Sequence, residues 1–144
     1  MSRWAKVGCA VDFSESSRAA MADAADLAKR YGAELVLIHV LESPEGALDM
    51  PAPEAARASR HELERKLESW RSEAARLCDR EVSARVLEGP VAEEVTRAAR
   101  EGGLDLLVCG THGRRGPRRF VVGSVAERLV RLAHCPVLVV RRPA

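Results

Sequence analysis

Toward its C-terminal end the chain runs GTHGRRGPRRFVVGS, from Gly110 to Ser124, with four glycines and four arginines between two apolar segments. Glycines after a buried strand let the backbone turn its N–H groups inward as a nest for anions. A helix beginning at the far end adds unpaired N–H donors and a partial positive charge. Ser124 can add a hydroxyl, and phosphate is the natural guest of such a connection. The stretch is not a Walker A loop, because no Gly-Lys-Ser/Thr is present, and it does not match GxGxxG. The same residues also fit a plain capped loop. Ser124-Val-Ala-Glu127 reads as a capping box, and glycines are common between elements. On the residues alone both readings stand.

The other chemically capable side chains are fewer. Asp12 ends the first apolar run, where a carboxylate can accept from a ribose or an adenine or cap the next helix. His39 lies inside an apolar strand and reads as a satisfied core histidine. His112 sits in the glycine loop, either against phosphate or in solvent. Arg114, Arg115, Arg118 and Arg119 read as a solvated cluster or as phosphate steering. Aromatic content is only 3%, so the stacking platforms of single-strand binders are missing and nucleic acid is not an expected partner. Cys9, Cys78, Cys109 and Cys135 form no CxxC pair and read as buried, reduced thiols, consistent with a cytoplasmic location. Neighbouring His134 and Cys135 do not make a zinc set, and no metal site is expected. No Ser–His–Asp spacing or pair of metal carboxylates emerges, so no catalytic residue is assigned.

These residues must be positioned by regular elements. Ala5–Val11 reads as a buried strand ended by Asp12. Ser14 or Ser16 caps an alanine-rich helix that stops at Gly32. ELVLIHVLE, Glu34–Glu42, is a near-continuous apolar run suited to a central parallel strand. SPEGALDMPAPEAAR, with three prolines and no usable period, reads as a flexible loop. Leu63, Leu67, Trp70, Ala74 and Leu77 then form one helical stripe. Val82, Ala84 and Val86 alternate in a third strand, and Gly89-Pro90 opens a third helix. Leu104–Cys109 is a fourth strand, SVAERLVRLAH a fourth helix with Val125, Leu129 and Leu132 on one side, and Pro136–Val140 a fifth strand. Alternating strands and helices imply a doubly wound α/β fold, a parallel sheet with helices on both faces. Ligands in such sheets bind beyond the carboxyl ends of the strands, at the switch point.

Size and charge agree with this. The 144 residues, 47% hydrophobic and 31% charged, suit a single domain over 1–144 with a real core. A net charge of +2 implies no general affinity for nucleic acid or membrane. No apolar run approaches the roughly 20 residues that span a bilayer, and the N-terminal apolar run, broken by Lys6, reads as a strand and not a signal peptide.

The spacing Gly110-x-x-Gly113, nine residues, then Gly123-Ser124, together with AVDFSESS near the start and CPVLVVR at the end, strongly resembles the universal stress protein family over the whole chain. The G-x2-G-x9-G-S pattern is the mark of that family's ATP-binding branch. The resemblance implies a five-stranded parallel sheet in the order 3-2-1-4-5. It implies ATP, with Mg2+ or Mn2+, as the cofactor, and a nucleotide-dependent role in a stress response. Asp12 would lie against the nucleoside and the backbone of Val40 against adenine. Gly110 and Gly113 would line ribose and phosphates, with Gly123 and Ser124 holding the phosphates and Val125 following them. Ala10, Ser14, His112 and Arg114 complete the implied binding set. The spacer RRGPRR is more basic than is usual in the family. The related pyrophosphatase-type enzymes carry Ser-Gly-Gly-x-Asp-Ser after strand one, whereas this chain has VDFSESS, which argues against adenylation. The alternatives are a slow ATPase or phosphotransferase using the same loop, or a nucleotide-free dimeric scaffold. The family also implies a homodimer paired through the terminal strand, Pro136–Arg141, and names no downstream partner.

Overall fold

The computed structural model describes residues 3–42, 53–111 and 122–141. The elements run β1 (Lys6–Ala10), α1 (Glu15–Tyr31), β2 (Glu34–Leu41), α2 (Pro53–Cys78), β3 (Val82–Glu88), α3 (Val91–Glu101), β4 (Leu106–Gly110), α4 (Ser124–Leu132) and β5 (Val137–Val140). All four strand pairings are parallel, and the sheet order is β3-β2-β1-β4-β5. The order reverses direction between β1 and β4, which makes this pair the switch point. Parallel neighbours require crossovers, and the four helices supply them.

Two apolar layers fill the faces. On one, Val7, Cys9, Leu35, Leu37, Leu106 and Val108 of the sheet meet α1 and α2. On the other, Ile38, Val40, Leu107 and Cys109 meet α3 and α4. Helix α1 lies close to the sheet because the residues it turns inward are small: Ala20, Ala24, Ala25 and Ala28 are fully buried. It opens on Ser14, whose Oγ accepts from the Ser17 amide at 3.1 Å. It closes at Gly32, whose φ of 64° is the left-handed conformation that a side chain would resist. At the amino end of the sheet, one Asp105 carboxylate oxygen accepts from the amides of Ala5 (2.9 Å) and Lys6 (2.8 Å), joining the entries of β1 and β4.

The boundaries differ from the sequence expectation at α2 and α4. Helix α2 begins at Pro53, so part of the expected loop is helical. Proline near a helix start gives up an N–H that would lack an intrahelical partner in any case. The rest of that loop, 43–52, lies outside the described residues. The buried stripe of α2 is Leu67, Trp70, Ala74 and Cys78, with Leu63 half-buried and Leu77 exposed. Cys78, not Leu77, therefore completes the inward face. At 26 residues, α2 is about 39 Å long, against roughly 26 Å for the eight residues of β2. Its first turns overhang the carboxyl end of the sheet and are tied there by an ion pair from Arg60 to Glu88 at the end of β3. In α4 only Ala126 and Leu129 are buried, and Leu132 turns outward.

Truncating the inward face of α2 should therefore cost far more than truncating its neighbour. Trp70→Ala is expected to lose about 3–5 kcal/mol in urea unfolding and Leu77→Ala no more than about 0.5 kcal/mol. Equal losses would mean that the helix is rotated from the face described.

Candidate functional site

The carboxyl ends of β1, β2 and β4 form one row. Ala10 pairs with Ile38 and Cys9 with Val108, and the pairing continues past β1, where the Val11 amide donates to the Ile38 carbonyl at 2.9 Å. Extending both registers sets Asp12 beside Val40 on one side and beside Thr111 on the other, with Gly110 beside Val11. Ala10 and Val40 pack into the α3/α4 layer, Val40 being buried.

Asp12 does not hang free in this row. Its Oδ1 accepts from the Ser14 amide at 2.9 Å and from the Ser14 hydroxyl, and its own amide donates to Ser17 Oγ at 3.2 Å. The aspartate thus shapes the turn, and Ser14 caps α1. Asp12 is half-buried, and these bonds engage only one of its two carboxylate oxygens.

Gly110 decides how closely β4 meets α1. A Cβ at Gly110 would lie 2.2 Å from Ser16 Oγ and 2.7 and 2.8 Å from the Ser16 carbonyl carbon and oxygen. Backbone cannot yield to such an overlap, so only glycine fits. The contact brings the first turn of α1 against the end of β4. The start of α4 is brought to the same place from the other side, because the Gly123 amide donates to the Thr111 carbonyl at 2.6 Å. That bond clamps the base of the glycine loop and uses the Gly123 N–H itself. The helical ladder of α4 starts with the Glu127 amide on the Gly123 carbonyl at 3.0 Å. The amides of Ser124, Val125 and Ala126 therefore lie ahead of the ladder, as at any helix start. Two helix N-termini, each with its partial positive charge, meet at the switch point.

The expected capping box at Ser124 is not formed. The extended cap residue is Gly123 (ψ 159°), with no side-chain cap bond, and Ser124 is the first helical residue, exposed. The clamp to Thr111 moves the turn one residue earlier. His112, Gly113 and Arg114, with the other loop arginines, lie outside the described residues.

Several residues of this region were not legible as site residues. Thr111 is buried and supplies the clamp carbonyl. Ser17, also buried, ties Asp12 to α1. The serine-rich run after Asp12 was a visible signal for Ser17, whereas nothing local pointed to Thr111 as a clamp. His39 is half-buried, with Nδ1 2.8 Å from the Val11 carbonyl, which fits Nδ1–H as the donor. Just below the site, burial pushes the Cys109 thiol up to about 12. Burial raises Cys9 further still, with Cys109 and Asp23 adding smaller contributions. Both thiols are thus neutral packing groups at physiological pH. An open depression of about 190 Å³, edged by Lys6, Glu34, Ser83 and Arg85, lies at the opposite, amino end of the strands. It lies away from the end where parallel sheets take ligands, and the convergence of helix starts marks the carboxyl end as the candidate site.

This is a doubly wound α/β protein in which the starts of α1 and α4 each lie against the end of β4. The family model for the universal stress protein family matches residues 3–141. A universal stress protein of Methanocaldococcus jannaschii is 32% identical over 148 residues, covering 96% of this chain and 82% of the relative. A solved structure from the universal stress protein family of Burkholderia pseudomallei superposes with a TM-score of 0.77 at 33% identity, covering 97% and 98% of the two chains. Two further solved structures share the fold. One is a universal stress protein in complex with cAMP (TM-score 0.72, 24% identity, 97% and 98% covered). The other is from Archaeoglobus fulgidus in complex with dAMP (TM-score 0.67, 21% identity, 94% and 97% covered). The chain belongs to the universal stress protein family.

Gly110→Ala is expected to lose about 1–3 kcal/mol by overpacking against α1, and Ser14→Ala about 1 kcal/mol by uncapping it. Ser124→Ala, which removes no cap, should stay within about 0.5 kcal/mol. Chemical denaturation of the three variants checks the ranking.

Proposed function

We propose that this protein binds ATP at the carboxyl ends of β1 and β4 and acts as a nucleotide-dependent regulator or sensor in a stress response. The observation that supports this most is the meeting of the α1 and α4 starts around Gly110 and the Thr111–Gly123 clamp. Free amides at the start of α4 and the partial positive charge of a helix N-terminus lie beside the end of β4, which suits a phosphate chain. The spacing of Gly110, Gly113, Gly123 and Ser124 adds the family's nucleotide pattern, and two structures of this fold hold adenine nucleotides.

In this reading Asp12 offers its second carboxylate oxygen to the nucleoside, and Ala10 and Val40 line the base. The amides of Ser124 and Val125, with the Ser124 hydroxyl, take phosphate oxygens. Ser14 holds Asp12 in place. His112, Gly113 and Arg114 complete the phosphate end, and Mg2+ or Mn2+ enters with the triphosphate. Gly123 contributes through its clamp and its lack of a side chain, since its amide is already engaged. A homodimer through Pro136–Arg141 belongs to the same proposal. Among the described residues β5 is the edge strand of the sheet and carries no charge, Leu138 is exposed on it, and Val130 and Leu132 are exposed on neighbouring α4. Unpaired apolar edges call for a partner.

The decisive experiment is to denature the purified protein, identify released nucleotide by mass spectrometry, and titrate the apo-protein with ATP. ATP or a related adenine nucleotide is expected at micromolar affinity. Absence of nucleotide in both measurements would sink the reading. Gly113→Val should weaken ATP at least about tenfold, the scale of a lost charge-assisted hydrogen bond, while leaving the fold intact by circular dichroism. Sedimentation velocity tests the dimer: the wild type should run as a dimer and Leu138→Asp as a monomer. Unchanged sedimentation of the variant would count against pairing at β5.

A further inference from the structure

Two non-glycine residues among those described have a left-handed backbone, Phe13 (φ 66°) and Asp79 (φ 56°). Asp79 directly follows α2, where an aspartate tolerates this conformation. Phe13 has no such excuse. Its Cβ is crowded in this region and its ring offers no local hydrogen bond in return, so the surroundings must hold it there.

The surroundings come from two elements, β2 and α2. The Phe13 ring lies 4.6 Å from the His39 ring of β2 and 5.3 Å, edge-on, from Trp70 of α2. The Lys66 ammonium sits 5.3 Å over its face. The two ring neighbours are themselves held. His39 is bonded to the Val11 carbonyl. Trp70 is buried, with the Arg18 guanidinium 4.4 Å over its ring and Arg18 paired to Glu73. The residues flanking Phe13, Asp12 and Ser14, carry the bonds that open α1. One ring thus joins the α1/α2 layer to the turn that faces the switch point.

We propose that Phe13 is a positioning residue. Its anchored ring holds the Asp12–Ser14 turn and the first turn of α1 in the orientation that faces Gly110, and so sets the readiness of the site for its ligand. The consequence for affinity rests on the nucleotide reading above, whereas the anchoring of the turn does not. A purely packing role would predict general loss of stability, without local loosening.

Phe13→Gly separates these roles, because glycine accepts a φ of 66° while removing the anchor. Phe13→Tyr keeps the ring. In the apo-protein, amide exchange at Ser14 to Ser17 should quicken at least about tenfold in Phe13→Gly, with the strand amides of β1 unchanged. ATP affinity of the same folded variant should fall about tenfold, the cost of a site that is no longer preorganised, and Phe13→Tyr should restore both values. Unchanged exchange at Ser14 to Ser17, uniform quickening over the whole chain, or wild-type affinity in Phe13→Gly would each overturn the proposal. Local quickening in Phe13→Gly, with no ATP bound even by the wild type, would support the anchoring and sink the nucleotide reading instead.

Discussion

The carboxyl end of the sheet is organised around one close approach, the end of β4 against the first turn of α1 at Gly110 and Ser16. With a Cβ at Gly110, the Ser16 backbone would have to move by a large fraction of an ångström. The parallel order puts β1 and β4 side by side and sends α1 and α4 to opposite faces. Only a glycine at the end of β4 lets the two helix starts come together across that division. The Thr111–Gly123 bond then fixes the second helix start relative to the first. Acidic residues in both first turns, Glu15 and Glu127, offset part of the helix-end charge.

The two layers of the fold do different work. The α1/α2 layer is tight, with alanines against the sheet and an aromatic group, Phe13, His39 and Trp70, at the end nearest the turn. The α3/α4 layer carries Ala10 and Val40, at the carboxyl ends of β1 and β2. The sheet edges also differ. At β3, Arg71 donates to the Val82 carbonyl and charged side chains flank the strand, which discourages pairing. At β5 the strand itself, Val137–Val140, is short and apolar.

Much of the architecture could be read from local pattern. The apolar runs, the alanine face of α1, the stop at Gly32 and the strand–helix alternation all follow from contacts a few residues apart. Errors fell where a distant contact shifted a local signal. Ser124 had the sequence of a helix cap, but the Gly123 amide is held by Thr111 across the base of the loop, so Gly123 takes the cap position. Leu77 fitted the helical stripe, yet Cys78, four residues after Ala74, is the one that faces inward.

The sequence by itself determined the class of fold, the order of its elements and the glycine spacing that marks the family, because periodicity and turn chemistry are properties of neighbouring residues. The tertiary structure decided which strand ends share a row, that Gly110 must be bare because Ser16 lies against it, and that Phe13 is held left-handed. These depend on pairs such as Cys9 with Val108, or Ala5 with Asp105, separated by about a hundred positions. Chain closure over that distance leaves no local periodic signal, and the parallel sheet alone brings such residues into contact.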